Sequence, residues 1–257
     1  MSIHHTAVID PTVELGEGVS VGPFAIVEAG AVIGEKTVIG SHVRIALGTV
    51  VGKNCQIFHG ASLGGEPQII GFDPDTPSSV RIGNHTQLRE YVTVHRSSLE
   101  NGITEVGDHC LLMAYTHVAH DCRLGSHVII VNYTGLPGHI VVEDRAFISG
   151  LVGIHQYARI GKYAMVGGMA AVRKDVLPFS LIEGYPARLV GLNSVGLRRG
   201  GFSREARSTL KKAIVLIKDP HLNTQQATER IENEMEITEE ISYMINFIKK
   251  SSRGITK

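Results

Sequence analysis

The sequence predicts a mainly β chain: a parallel β-helix of hexapeptide repeats wound as a triangular prism, followed by a small α-helical subdomain. The first observation is a rhythm. An aliphatic residue recurs at every sixth position from Ile3, Ile9 and Leu15 to Leu63, again over Ile82, Leu88 and Val94, and again from Val106 to Val172. All 26 of these positions are Ile, Leu or Val. A period of six fits neither the 3.6 of a helix nor the alternation of a hairpin strand; it is the period of a parallel β-helix. The second observation is a small residue two places earlier, such as Ala25, Ala31, Val43, Thr49, Ala146, Ala158 or Ala164. Each flat side thus turns one large and one small group inward. The third is that the rhythm ends after Val172 and helical spacing takes over from Ser203.

In chain order, three hexads close one coil, and coils stacked at about 4.8 Å make roughly nine levels and a prism about 40 Å long. Burying each aliphatic side chain is worth about 1.5–3 kcal/mol before entropy, ample for one continuous core. Gly follows 11 of the 26 aliphatic positions, which reads as a supply of turn conformations closed to residues with a Cβ. Two stretches break the pattern, 64–79 and 96–105. The first is rich in Pro and Gly and must loop out. Its Ile69, Ile70 and Phe72 would be costly to expose without a partner surface, so it is expected to line a site. Beyond the prism, Ser203 can cap a helix carrying Leu210, Ile214 and Ile217. Thr224 can open a second helix, and Thr238 a third with Glu239 and Glu240 in its first turn. The expected division is residues 1–190 for the β-helix and 191–257 for the helical domain.

Lys and Arg number 25, as do Asp and Glu, so nothing marks a general nucleic-acid binder. No apolar run approaches the roughly 20 residues of a membrane span, and no basic, apolar leader opens the sequence. The expectation is a soluble cytoplasmic protein. Cys55, Cys110 and Cys122 all fall in the small inward column with no Cys-x-x-Cys pair, and read as buried small hydrophobes.

The chemistry gathers between His117 and His155. Among 13 histidines, His4, His42, His85, His109 and His127 occupy ordinary polar turn positions. His117, His120, His139 and His155 instead cluster on adjacent coils. His139 follows His120 by 19 residues, one coil plus one, so the two should share a corner roughly 5 Å apart. Acyl transfer to a hydroxyl without a cofactor needs a general base near neutral pKa, which His provides. It also needs an oxyanion donor, which a backbone N–H beside Gly138 can supply.

The hexads, the run His117-Val118-Ala119-His120-Asp121-Cys122, the stretches Ile154-His155-Gln156-Tyr157 and Met165-Val166-Gly167-Gly168, and the tail Gly196-Leu197-Arg198-Arg199-Gly200-Gly201-Phe202-Ser203 together resemble the bacterial UDP-N-acetylglucosamine O-acyltransferases that open lipid A synthesis. The resemblance covers nearly the whole chain. It implies a left-handed prism, a homotrimer with sites between neighbouring prisms, no cofactor and no metal. By matching position, His120 is the general base, Asp121 orients it and Gly138 offers the oxyanion N–H. His117, His139 and His155 bind sugar and thioester, Gln68 touches the sugar, and Gln156, Asn193 and Arg199 meet the nucleotide. Gly168 lies where the far end of the acyl chain rests. The implied donor is a 3-hydroxyacyl chain on acyl carrier protein, an acidic partner that Arg188, Arg198, Arg199, Arg204, Arg207, Lys211 and Lys212 would attract.

The sequence departs from the family pattern at Ile69 and Gly71, where the loop usually carries an acidic and a basic residue, at Val195 for Glu, and at Gly200 for a second Arg. Either UDP-N-acetylglucosamine is held by Gln68, His117 and Arg199, or the acceptor is a 3-amino analogue. Two alternatives come from other classes: a zinc-dependent carbonic anhydrase of the same prism type using His117, His120 and His139, and a non-catalytic scaffold.

Overall fold

The computed structural model of the chain describes residues 2–257. Three sheets of 11, 9 and 8 strands, parallel but for the last strand of the first, form the sides of a triangular prism. Nearly every strand is two residues long, the first facing out and the second in, as at Ile26–Val27 and Arg44–Ile45. That alternation is why one aliphatic residue per hexad suffices to fill the interior. The small column behaves as expected, with Ala25, Val43, Cys55, Cys110, Cys122 and Ala146 all buried. The three cysteines are free thiols.

Glycine does something other than expected. The turn residue with positive φ lies three places after the aliphatic position and is usually not Gly: Lys36, His42, His109, Tyr133 and His139 all occupy it. The Gly directly after the aliphatic residue marks a close approach instead. A Cβ on Gly34 would lie 2.5 Å from the carbonyl carbon of Gly52 in the next coil. Coil stacking, rather than a left-handed turn, excludes a side chain there.

The two excursions are shorter than the sequence suggests. Strands Ser62–Gly65 and Ser79–Ile82 leave 66–78 as the first loop, and strand Ile103–Val106 leaves 96–102 as the second. Thr104 fills the inward small column, a polar occupant that hid the strand. The first sheet also holds a tenth parallel level, Ser180–Glu183, beyond the nine expected. Ile182 pairs with Val166 after only 16 residues, so a shortened coil falls outside the hexad count. The chain then returns antiparallel as Arg188–Leu192, a strand that spans the expected boundary between 190 and 191.

Four helices follow. α1 (Ser194–Arg199) was not expected; the Asn193 side chain caps it by accepting from Gly196 N. α2 (Arg204–Lys218) is capped by Ser203 and buries Leu210, Ile214 and Ile217, as anticipated. α3 (Thr224–Glu234) opens at Thr224 as expected, with its cap one residue earlier, where Asn223 and Gln226 form a reciprocal capping box. α4 (Glu239–Lys249) is capped by Thr238 with both glutamates in its first turn. The helices are tied to the last coils: Tyr243 Oη donates to Glu143 at 2.9 Å, the Arg159 guanidinium lies 4.0 Å over Phe247, and Ser251 Oγ donates to Asp175 at 2.7 Å. No helix among the described residues is long and apolar enough to cross a membrane.

Candidate active site

One edge of the prism concentrates everything that interrupts the repeat. The strands Ser62–Gly65, Thr93–His95, His117–Val118, Gly135–Leu136 and Gly153–Ile154 stack in one sheet, and each turns the same corner. The first two turns are the inserted loops. The next three carry His120 and Asp121, Gly138 and His139, and His155 to Tyr157. Asp121, His139 and Tyr157 all take the positive-φ corner position. His139 therefore stacks on Tyr157, with ring centroids 4.6 Å apart, and meets His120 edge-on at 5.2 Å, as the one-coil-plus-one spacing predicts.

His120 is buried, and its Nδ1 lies 2.7 Å from Asp121 Oδ2. Asp121 also accepts from Ser97 Oγ, from Ser98 Oγ at 2.6 Å and from Ser98 N at 3.3 Å, while its own N–H donates to Thr104 Oγ1 at 2.8 Å. Burial pushes the Asp121 carboxyl upward, but the bonds from Ser97, Ser98 and His120 outweigh it and hold the pKa below the usual value. Asp121 is thus a carboxylate, which only accepts, so Nδ1 of His120 carries the proton and Nε2 presents a lone pair. Gly138 packs against that ring: an added Cβ there would lie nearest Cε1 and 2.6 Å from Nε2. The Gly138 N–H makes no hydrogen bond within the described chain. An imidazole with a free ring nitrogen and an unengaged backbone donor therefore lie side by side, a pairing of the kind that attack on a carbonyl needs.

A groove of about 420 Å³ opens over this point, lined by Gln68, His117, His120, Gly138 and Gln156 together with the bare positions Gly135 and Gly153. His117 Nδ1 lies 2.7 Å from Thr93 Oγ1, which orients the ring across the groove. Of the other expected residues, His139 stands behind the pair, 3.7 Å from Asp121. His155 is exposed beside Gln156, with Nδ1 3.1 Å from Arg253. Three expected residues do not enter the groove of a single chain. Gly168 sits on the neighbouring corner beside Gly150, Asn193 spends its amide on Gly196 N and Tyr163 O, and Arg199 ends α1 exposed.

The structure also adds residues that sequence reasoning passed over. Ser97 and Ser98 looked like loop polarity, yet they hold Asp121. Their neighbour Arg96 clamps the first loop, donating to the carbonyls of Thr76 and Pro74 and to Ser78 Oγ and packing over Phe72. The signal was present: a polar run placed directly after an inward aliphatic residue, at the corner shared with His120.

Similarity to known proteins follows this geometry closely. Residues 175–256 match the family model described as UDP N-acetylglucosamine O-acyltransferase, domain 2, and residues 12–46 and 103–138 match the bacterial transferase hexapeptide model. The chain is 44% identical over 256 residues, 99% of both chains, to the acyl-[acyl-carrier-protein]--UDP-N-acetylglucosamine O-acyltransferase of Thermodesulfovibrio yellowstonii. The chain belongs to the UDP-N-acetylglucosamine O-acyltransferase family. The relative of the same name from Gloeothece citriformis is 47% identical over 69% of this chain, an alignment that spans 64% of that relative's length. Among solved structures, the UDP-N-acetylglucosamine acyltransferase of Bacteroides fragilis superimposes with a TM-score of 0.96 at 36% identity, covering 99% of each chain. That of Francisella novicida gives 0.95 at 34% identity, covering 99% of this chain and 93% of the other.

Within this UDP-N-acetylglucosamine O-acyltransferase fold, His120, Asp121 and His139 present ligand atoms within 4.8 Å of one another. A zinc ion on this cluster, rather than on the His117, His120 and His139 of the zinc alternative, would need a different geometry. Ligands about 2.0–2.1 Å from a tetrahedral zinc stand roughly 3.3 Å apart, whereas Nδ1 of His120 and Oδ2 of Asp121 are 2.7 Å apart and bonded to each other. His117, the third imidazole of that reading, is engaged on Thr93. In this arrangement His120 Nδ1 is turned to Asp121.

His95, beside His117 at 4.8 Å, is a further, half-buried imidazole, and its enclosed Nδ1 has no partner. Burial, then the neighbouring His117 and His120, lowers its pKa to about 4. Between about 4 and the unfolded value of about 6.5 the unfolded chain binds the extra proton, so stability is complete above that window and falls as pH drops through it. Denaturant unfolding at pH 7 and pH 5 should show a smaller acid loss in His95→Gln than in the parent. An identical loss in both proteins would show that His95 is not neutral in the fold.

Proposed function

We propose that the chain transfers a 3-hydroxyacyl group from acyl carrier protein to the 3-position of UDP-N-acetylglucosamine, opening lipid A synthesis, and that it does so in the cytoplasm as a homotrimer without a cofactor. The observation that carries the reading is the His120 Nε2 lone pair, fixed by a serine-held carboxylate and set against the Gly138 N–H in the groove. Nε2 takes the proton of the acceptor as its heteroatom attacks the thioester carbonyl. The tetrahedral oxyanion rests on the Gly138 N–H, and the intermediate collapses with loss of thiolate. The imidazolium, stabilised by Asp121, returns its proton to that sulfur.

Gln68, His117 and Gln156 line the place for the sugar and nucleotide. His139 and His155 stand at the same edge, able to serve sugar and thioester. Asn193 and Arg199 lie outside one chain's groove, so their nucleotide role requires a neighbouring prism. A trimer satisfies this and gives a partner surface to Ile70, which is fully exposed in the single chain. Sedimentation should show a trimer, and an active monomer would refute the shared site. The acid–base positions of the usual sugar loop are replaced here by Ile69 and Gly71, and Arg96 is committed to clamping the loop from below. That loss of polar contact also suits the 3-amino sugar, a better nucleophile that needs less help from a positioned cation. Competition between the two sugars for one 3-hydroxyacyl carrier protein tests the proposal: turnover of the hydroxyl sugar is expected, robust turnover of the amine alone would change the acceptor, and turnover of neither would refute acyl transfer.

Gly168 provides the test of chain length. A Cβ there would meet Gly150 O at 3.6 Å and Ser149 Cβ at 3.9 Å, ordinary contacts, so the fold tolerates a side chain. Gly168→Met should shift preference from long to shorter acyl donors by about tenfold or more, the scale of a few methylenes in an apolar pocket. A ladder of carrier-protein thioesters reads this, and an unchanged optimum would remove Gly168 from the acyl path.

A further inference from the structure

The last residues of the chain return to the prism. Beyond α4, Ser251 Oγ donates to Asp175 Oδ2 at 2.7 Å, Asp175 N donates to Gly254 O at 3.0 Å, and Thr256 N donates to Asp175 O at 2.8 Å. Ile255 thereby makes a parallel bridge with Asp175 and is buried together with Thr256. Asp175 is itself buried, and its carboxylate also accepts from Arg159 N at 2.9 Å. The tail is thus fastened on both sides of Arg253. Its backbone is ordered by those anchors, so the reach of Arg253 costs only the freedom of its own side chain.

That reach ends at the edge that carries His120. Arg253 Nη2 lies 3.1 Å from His155 Nδ1, across 98 positions of sequence, and 3.3 Å from Arg173 O. Arg253 forms no ion pair among the described residues, and its Nε is enclosed without a partner. The guanidinium is therefore committed to one ring nitrogen and one carbonyl, with no carboxylate to account for its placement.

His155 Nδ1 stands between two groups of opposite demand. The Gln156 carbonyl, 3.1 Å away, calls for a proton on Nδ1, whereas Arg253 has no acceptor and calls for a lone pair. A hydrogen bond from an ionised donor is roughly twice as strong as a neutral one, so Arg253 prevails. The single proton of the neutral ring then sits on Nε2.

We propose that Arg253 is a positioning residue that acts through His155, holding the neutral ring with Nδ1 as acceptor and Nε2 as the donor offered to substrate at this edge. The inference rests on the acyl-transfer reading above, in which His155 serves sugar or thioester. Without Arg253, the Gln156 carbonyl is left to claim the Nδ1 proton and Nε2 becomes an acceptor, the same ring with its polarity reversed. The C-terminal tail thereby acts on the site without touching the reacting atoms.

Heteronuclear NMR of the histidine side chains in the full-length protein, at about pH 8 and so above the ordinary imidazole range, reads the tautomer directly. His155→Ala assigns the signals by their loss. The parent should show a bare Nδ1 and a protonated Nε2. Arg253→Met should move the proton toward Nδ1, while Ser251→Ala, which loosens the tail without touching the ring, should leave it on Nε2. A protonated Nδ1 in the parent, an unchanged ring in Arg253→Met, or an equal shift in Ser251→Ala would overturn the proposal. In turnover, with thermal melts as the folding control, Arg253→Met and His155→Ala should each lower kcat/KM by about tenfold, the scale of one hydrogen bond to a charged group. The double variant should fall no further than either, and additive losses would show that Arg253 does not work through His155. If the parent transferred no acyl group, the acyl-transfer reading would fall while the ring resonances still decided the tautomer.

Discussion

His120→Ala should lower turnover by about 10²–10⁴-fold or more while the prism remains intact. The residue lies at a corner, two places beyond the inward Val118, so its ring belongs to the outer edge and not to the aliphatic column that holds the coils. Removing it deletes the only imidazole whose Nδ1 is bonded to a carboxylate among the described residues. The loss should fall on kcat with either acceptor, because the proton must leave the attacking atom in both cases. Steady-state kinetics with a thermal melt as the folding control decide the matter. A folded variant as active as the parent would remove His120 from the chemistry, and stoichiometric zinc in the parent would return the metal reading.

Asp121→Asn should cost nearly as much, up to about 10⁴-fold in kcat, the scale of losing a base-orienting carboxylate. Asp121 has φ 61°, and Asn is among the few residues that accept that conformation readily, so the backbone should not move. What changes is the proton. An amide nitrogen facing Nδ1 donates where the carboxylate accepted, which leaves Nδ1 as the lone pair and turns the Nε2 proton toward the substrate. The developing imidazolium also loses the charge that stabilised it. Ser97 and Ser98 can rotate their hydroxyls to suit an amide, so stability should change far less than activity. A variant with near-parental kcat and an unchanged pH profile would show that Asp121 only fills space.

The relation between Arg96, Ser97 and Ser98 gives these two residues a wider setting. One short segment clamps the first loop through Arg96 and holds the Asp121 carboxylate through the next two serines. The loop that carries Gln68 to the groove and the His120–Asp121 pair therefore share a support. Neither 66–78 nor 96–102 is a passive surface insertion, because each leaves the prism at the corner that carries His120 and Asp121.

The sequence by itself determined the prism, the identity of its inward residues, three of the four helices, and the imidazoles that share an edge. It could do so because a six-residue period fixes both the direction and the level of each side chain: His120 and His139 had to meet once one coil was known to hold 18 residues. Only the tertiary structure decided what the period does not encode. Ser97, Ser98, Arg96 and Thr104 act through an inserted loop whose path no repeat specifies. The tenth level arises from a coil shortened by two residues, and the glycines after each aliphatic position answer to the backbone of the next coil rather than to their own φ. Which His120 ring nitrogen is left free, too, depends on hydrogen bonds to Asp121 from residues more than 20 positions away. Those contacts are set by stacking distance between coils, which no local pattern of residue types records.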